Sequence, residues 1–566
     1  MASSVTTSRQ VRAWAWYIAL LGLMMLPNLV WWWLDHSAVV SVEALILPTV
    51  LLLLVAALFG KRIWLLCLLL APFAALSPVE AVYIGQYESP STAAILATVF
   101  ASNPREVREY LGDALVPVVV SAVLGLTLAL LAARLSWRAN LRWQHRSRGW
   151  VLLIAIVIPI VSATVAWATI KGKPLERMRT GTMSLITESI EPGYPFGVLQ
   201  RVVAYRRQWT QMREGAARLD AFRFQARRVS PIAQRQVYVM VLGESSARYH
   251  WQLFGYERAT NPELSRLPGL VLIPDMLTLW PESVDAIPQM LTRKPTNDNT
   301  AFWPEASILR AMQEAGYETY WISNQLPIGQ FDSAVSIYAS EAQHMQFLNH
   351  ASWNAPGSFD EDMLQPLRDV LRGSNHDLFI VLHMMGSHLT YDLRYPASFN
   401  HFQSSDTDKK SIESLTDSYD NTILYTDHVL AQIVDILRNS GAVSALWFES
   451  DHGEMLPTPT CLRSGHGLGT RYEYQIPALF WYSDAYAALF PDRVAGLRAN
   501  ADRRTLSADT FESLIDMAGV DFQGHDESRS LFSPEWRFRT RTLSWVWQVD
   551  FDQATFGKNC PVVLPK

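Results

Sequence analysis

Cysteine is nearly missing, with 3 in 566 residues. Cys67 lies inside an apolar run, which leaves one pair, Cys461 and Cys560, that an oxidising compartment would allow to bridge; no disulfide-framed scaffold is open to this chain. An excess of one charge is missing too. The net charge of −5 gives no basic footprint and argues against a nucleic acid partner. There is no internal repeat and no low-complexity tract. The first apolar segment lacks a small-residue cleavage site, which makes it an anchor rather than a removable signal peptide.

What is present is apolar sequence crowded into the first 170 residues. Segments 14–33, 42–60, 63–76, 114–133 and 150–170 are mostly near the roughly 20 residues that a bilayer core requires, and they predict a five-span α-helical transmembrane domain over residues 1–170. Arg9 and Arg12 precede the first span and Lys61 and Arg62 follow the second. Arg134, Arg138, Arg142, Arg146 and Arg148 crowd the loop before the fifth, whereas the alternate loops carry Asp35, Glu80 and Glu88. Basic loops stay in the cytoplasm, so five spans starting inside put everything after about Ile170 on the outer side. Residues 171–231 are polar and basic, with a Glu191-Pro192-Gly193-Tyr194-Pro195 turn and an Arg-rich stretch over 206–228; they read as a linker with one amphipathic helix.

Residues 232–566 alternate short β-rich runs with helical ones. Thr319-Tyr320-Trp321-Ile322, Leu378-Phe379-Ile380-Val381-Leu382, Ala445-Leu446-Trp447-Phe448 and Ala478-Leu479-Phe480-Trp481 are apolar without alternation. Strands apolar on both faces predict an α/β catalytic domain with a doubly wound, mainly parallel sheet. Two of these runs end in chemistry. The run to Phe448 leads into Glu449-Ser450-Asp451-His452-Gly453-Glu454, and Val237-Tyr238-Val239-Met240-Val241-Leu242 leads into Gly243-Glu244-Ser245. Carboxylate and imidazole donors at the carboxyl ends of sheet strands suit a borderline divalent ion such as zinc. A catalytic metal needs a nucleophile beside it. In Leu279-Trp280-Pro281-Glu282-Ser283, Pro281 predicts the first turn of a helix, with Ser283 near the N-terminal N–H groups that favour an anion. Ser245, Ser246 and Thr278 are the other candidate hydroxyls. Met384 and Trp447 read as core.

Gly243-Glu244-Ser245-Ser246-Ala247-Arg248, Gly255-Tyr256-Glu257-Arg258-Ala259-Thr260-Asn261-Pro262 and Ser450-Asp451-His452-Gly453-Glu454 resemble the membrane-bound phosphoethanolamine transferases of Gram-negative bacteria, within the alkaline phosphatase and sulfatase superfamily. Tyr194-Pro195-Phe196-Gly197 and Tyr419-Asp420-Asn421 also fit. The resemblance implies Zn2+ held by Glu244, Asp451, His452 and the nucleophile Ser283, where the family usually has Thr. It implies roles for His388 and His466 near the transferred phosphate; His383 reads as a satisfied histidine at a strand end. A Lys common after the family's Trp-x-x-Asn is absent here, which leaves Asn324 or Gln325 to offer a neutral hydrogen bond. Glu106, with Thr98 and Ser102 on one helical face by spacing, would receive the ammonium and phosphate of the lipid donor.

The implied reaction takes phosphoethanolamine from phosphatidylethanolamine to a lipopolysaccharide acceptor, core sugar or lipid A, through a covalent serine adduct, in an inner-membrane enzyme with its catalytic domain in the periplasm. Gly386-Ser387-His388-Leu389-Thr390-Tyr391 and Arg394-Tyr395-Pro396 look closer to members acting on the lipopolysaccharide core. The alternative is transfer of phosphoethanolamine or phosphoglycerol to a periplasmic glucan or another envelope glycan. Sulfatase chemistry is disfavoured, since the Cys/Ser-x-Pro-x-Arg pattern is missing.

Overall fold

The computed structural model describes residues 2–34, 40–87, 90–91, 115–153, 190, 193–296, 298, 303–327, 333–349, 357–404, 408, 411–543 and 548–565. The chain forms two compact units, Met1–Arg207 and Gln208–Lys566.

The first unit is helical: α1 (Ala2–Leu34), α2 (Leu47–Leu58), α3 (Ile63–Leu69), α4 (Ala71–Tyr87) and α5 (Leu115–Arg138), with the start of α6 (Phe196–Asp220). Among the described residues, three helical stretches, Ser8–Leu34, Ser41–Leu58 (which extends α2 backward) and Val116–Arg138, are long and apolar enough to cross a membrane, or four if the bent α3–α4 pair counts as one span. Five spans are therefore not what these residues show, and most of the expected fifth segment, 154–170, lies outside them. The expected third segment, 63–76, is longer than its apolar run: it breaks near Leu70, bends by 49° and continues as far as Gly85. Pro72 explains the break, because it donates no N–H and its ring crowds the carbonyl of Leu68. Glu80, placed in a loop by the sequence reading, lies inside α4. It is 9% exposed and pairs with buried Arg201 at 2.9 Å, which gives a carboxylate out of water the partner it needs.

The second unit is built on one eight-stranded sheet: β1 (Gln236–Gly243), β2 (Leu270–Leu277), β3 (Glu318–Ser323), β4 (His344–Phe347), β5 (Leu378–His383), β6 (Val443–Ser450), β7 (Gln475–Tyr482) and β8 (Thr505–Leu506), in the spatial order β4-β3-β5-β1-β6-β7-β2-β8. The central strands are buried on both faces. Tyr238, Met240 and Leu242 of β1 enter one apolar cluster, and Val237, Val239 and Val241 enter the other. The sheet is mixed, since β7 runs antiparallel to both β6 and β2. A parallel neighbour needs a long crossover, usually helical. Between β6 and β7 the only helix is the four-residue Arg471–Tyr474, so the chain turns back at the edge where β6 ended. That return concentrates residues 451–474 at the carboxyl end of the sheet.

One buried group works against the fold. Glu449, on β6, is 0% exposed, and the Thr510 hydroxyl and Trp447 indole beside it offset its burial only in part. Burial pushes its pKa from 4.5 up to about 8. A carboxyl whose folded pKa is raised contributes stability at low pH that is lost as pH climbs from about 4.5 to about 8. Glu449→Gln is therefore expected to raise the melting temperature at pH 8 and leave it nearly unchanged at pH 4.5; a thermal melt at the two pH values checks the sign.

Candidate active site

Five strands deliver their carboxyl ends to one place. Register pairs Gly243 with Ser450 and Leu242 with His383, so Glu244, Asp451 and Met384 leave the sheet side by side. The chain after β2 reaches the same edge and enters α7 (Ser283–Leu291), with Glu282 at its N-cap and Ser283 as its first residue. Pro281 thus precedes the helix instead of occupying its first turn. The helix starts two residues later than its proline suggested, and Ser283 gains the N-terminal position that was expected of it.

Ser283 Oγ donates to Glu244 Oε2 at 3.2 Å and lies 3.4 Å from His452 Nε2. His452 Nε2 is in turn 3.5 Å from Glu244 Oε1 and 3.6 Å from Asp451 Oδ2. Glu244, Asp451 and His452 are all buried. Each side chain has its outward donor or acceptor capacity committed. Asp451 Oδ1 accepts from the N–H of His452 at 2.7 Å and of Ser245 at 3.1 Å. His452 Nδ1 faces the Gly453 carbonyl at 2.8 Å, which assigns the proton to Nδ1 and leaves the Nε2 lone pair pointing inward. Asp451 Oδ2 is buried with no partner. Two carboxylates and an imidazole converging around an orphaned oxygen fit a cation, and this donor set suits zinc.

Electrostatics agree with that fit. Burial first, and then the Asp451 charge, hold the Glu244 carboxyl well above the usual range. Burial would raise Asp451 as well, but the His452 ring, the Ser283 hydroxyl and the two backbone N–H groups hold it below. Burial lowers His452 despite Asp451, keeping it a neutral donor.

The other hydroxyls are committed elsewhere. Ser245 Oγ donates to Glu244 Oε1 at 2.7 Å, with its backbone at φ 52°. Ser246 Oγ accepts from the Trp251 indole at 2.8 Å, and Thr278 Oγ1 donates to the Trp280 carbonyl at 3.3 Å.

His388 and His466 face each other across the mouth, with ring centroids 6.3 Å apart. Burial, followed by the Arg394 guanidinium, pushes His388 down to about 3. Burial would lower His466 as well, but its Nδ1 lies 3.1 Å from buried Glu454, whose hydrogen bond and charge raise it on balance. Glu454 is fixed by the Tyr391 hydroxyl at 2.9 Å. His383 is buried at the end of β5, 3.2 Å from Ser323 Oγ, and is pushed down to about 4 by burial. Asn324 and Gln325 turn inward: Asn324 Nδ2 donates to Asp360 at 2.8 Å and Gln325 Nε2 to the Met384 carbonyl at 2.9 Å. Thr98, Ser102 and Glu106 lie outside the described residues.

Sequence reasoning missed Asp360, which is buried and accepts the N–H groups of Met385 and Gly386 at 2.8 and 2.9 Å. It also missed the brace from α8 (Ile412–Asn439). There the Tyr419 hydroxyl donates to the Ser245 carbonyl and accepts the Ala247 N–H, both at 2.7 Å. Tyr419 was noticed only as part of a motif, and nothing local marks Asp360. Gly386 is where the His388 loop crosses Glu244: φ is +54°, and a Cβ would come within 2.7 Å of the Glu244 carbonyl. Gly386→Ala is expected to cost about 1–3 kcal/mol and to lower activity further than stability, since it displaces Glu244 from the cluster with Asp451 and His452; paired melts and rate measurements check this.

A sulfatase family model matches residues 236–520, about half of the chain. This chain belongs to the sulfatase family. Its resemblance to phosphoethanolamine transferases extends well beyond that domain. The sulfatase-family chain is 27% identical over 533 residues to the phosphoethanolamine transferase EptC of Escherichia coli (strain K12), covering 89% of this chain and 87% of that protein. Over 532 residues it is 27% identical to phosphoethanolamine transferase CptA of Salmonella typhimurium, with the same coverage of both chains. Among solved structures, the C-terminal periplasmic domain of Escherichia coli EptC in complex with Zn matches with a TM-score of 0.54 and 26% identity, over 60% of this chain and 98% of that one. The chain is a transferase enzyme of this family, with membrane-spanning helices ahead of its α/β domain.

Proposed function

We propose that the enzyme moves phosphoethanolamine from phosphatidylethanolamine to a lipopolysaccharide acceptor by way of a phosphoethanolaminylated Ser283. The observation that carries this reading is the contact of Ser283 Oγ with Glu244 and His452 beside the orphaned Asp451 oxygen. Glu244, Asp451, His452 and Ser283 would hold Zn2+, which when bound supplies Lewis acidity toward the serine hydroxyl and the phosphoryl oxygens. Ser283 Oγ gives up its proton to solvent and forms the new P–O bond as the bond to diacylglycerol breaks; the acceptor oxygen then forms its own P–O bond as the Ser283 Oγ–P bond breaks, and the serine regains a proton from solvent. His466, whose hold on a proton Glu454 strengthens, gives one to the departing alkoxide and takes one back from the acceptor hydroxyl in the second step, while His388, neutral beside it, offers a hydrogen bond to the phosphoryl group. The N-terminus of α7 favours the charge that gathers on the phosphoryl group. Thr98, Ser102 and Glu106 receive the donor headgroup. Asn324 and Gln325 position the loop carrying His388 and replace no phosphate contact. Relatives named as phosphoethanolamine transferases over most of both chains support this donor group, and the periplasmic domain of EptC supports a periplasmic location.

Intact-protein mass spectrometry after incubation with zinc and phosphatidylethanolamine, without acceptor, tests the covalent step. A phosphoethanolamine adduct mapped to Ser283 is expected. Diacylglycerol release with no adduct anywhere would overturn the covalent route, and an adduct on Ser245 or Ser246 would overturn the choice of nucleophile.

A further inference from the structure

The loops at one end of the helical unit build a second site. A cavity of about 660 Å³ has Lys61, His145, Arg146 and Arg148 in its lining together with Trp150 and Leu153, and no carboxylate. No ion pair forms to Lys61, Arg146 or Arg148 among the described residues. The cavity is built rather than incidental. The N–H of Trp143 donates to the Gly60 carbonyl at 2.7 Å, locking the chain after α5 onto the α2–α3 turn. Arg148 Nε reaches the Ala57 carbonyl at 2.7 Å, capping the end of α2. It passes directly over Gly60, where a Cβ would come within 2.7 Å of that nitrogen. The Trp143 indole donates to Ser147 Oγ at 3.0 Å, fixing the loop internally.

We propose that this cavity binds the phosphodiester headgroup of an anionic glycerophospholipid. Arg148 spends one donor on the α2 cap but keeps its charge, so Arg148 adds a fixed positive charge to those of Lys61 and Arg146. Trp150 is 64% exposed and Leu153 48%, and exposed apolar side chains in the same lining as the cations suit an acyl-linked phosphate better than a soluble one. Basic pockets among transmembrane helices on the cytoplasmic side recognise lipid headgroups in this way, and the basic loops place this cavity on that side. The site is built wholly from the helical unit and stands whatever the acceptor is.

Full-length enzyme reconstituted in phosphatidylcholine vesicles, with and without phosphatidylglycerol, then released in mild detergent for native mass spectrometry, tests the site. Wild type is expected to retain phosphatidylglycerol over phosphatidylcholine, and K61Q/R146Q to lose that preference by about thirtyfold. Both side chains are exposed, so the variant's thermal melt and zinc content should match wild type. Equal retention by wild type and variant overturns the proposal, as does complete displacement of the lipid by inorganic phosphate at the same concentration.

Discussion

Ser283→Ala is expected to lower phosphoethanolamine transfer on the order of 10³-fold or more, with almost no change in melting temperature. The two readouts separate because Ser283 is half-buried and its shortest contact is a long one, 3.2 Å to Glu244, with His452 at 3.4 Å and the Asp451 carboxylate beside it. Losing that contact costs about 1 kcal/mol of stability or less, whereas losing the atom that forms the P–O bond removes the covalent route. Ser283→Thr keeps a hydroxyl at the same helix position and should retain activity within about tenfold. Ser246→Ala is the informative contrast. Its Oγ serves the Trp251 indole, so the substitution should cost stability and leave most of the transfer rate. Measured side by side with a mass-tagged donor, a fully active Ser283→Ala together with an inactive Ser246→Ala would reverse the assignment.

The strands that carry the site were legible because burial on both faces leaves an uninterrupted apolar run, and the residue that ends each run is where polarity returns. Glu244 and Asp451 were found in that way. Strand direction was not legible. Ala478-Leu479-Phe480-Trp481 reads the same in either sense, and only the short return from β6 makes β7 antiparallel. Site residues within a few positions of a strand end could be named from sequence. The groups that hold them in place could not: Asp360 reaches the His388 loop, and Tyr419 the Glu244 loop, through long-range contacts that leave no local periodicity. Asn324 shows the opposite failure. Its place in a motif suggested a phosphate contact, but its amide is taken by Asp360 and Ser358. In the membrane unit, composition found the apolar segments but not the bend after α3, because the run of apolar side chains continues unbroken through the proline that interrupts its hydrogen bonds.

Asp451→Asn should move stability in opposite directions with and without zinc. In metal-free protein, Glu244 and Asp451 are buried together, and the Asp451 charge helps to hold the Glu244 carboxyl above its ordinary range. The Glu244 carboxyl, raised well above its ordinary range, contributes stability at low pH and loses it as pH climbs from 4.5 toward its folded value, and this loss exceeds what the less strongly depressed Asp451 carboxyl contributes above its own range, so the pair costs more at neutral pH than in acid. Asparagine keeps an acceptor for the N–H groups of Ser245 and His452. It also replaces the orphaned Oδ2 with an N–H donor aimed toward Glu244. The metal-free variant is therefore expected to be about 1–2 kcal/mol more stable than wild type at neutral pH. Zinc at a hundredfold excess over its dissociation constant should stabilise wild type by about 2.7 kcal/mol, and it should add nothing to the variant. Loss of the carboxylate would also remove transfer activity. A purely structural Asp451 predicts the reverse pattern, in which the variant melts lower than wild type without metal and both respond equally to zinc. Thermal melts of the two proteins at neutral pH, with chelator and then with zinc, distinguish a ligand that the fold tolerates from a residue that the fold needs.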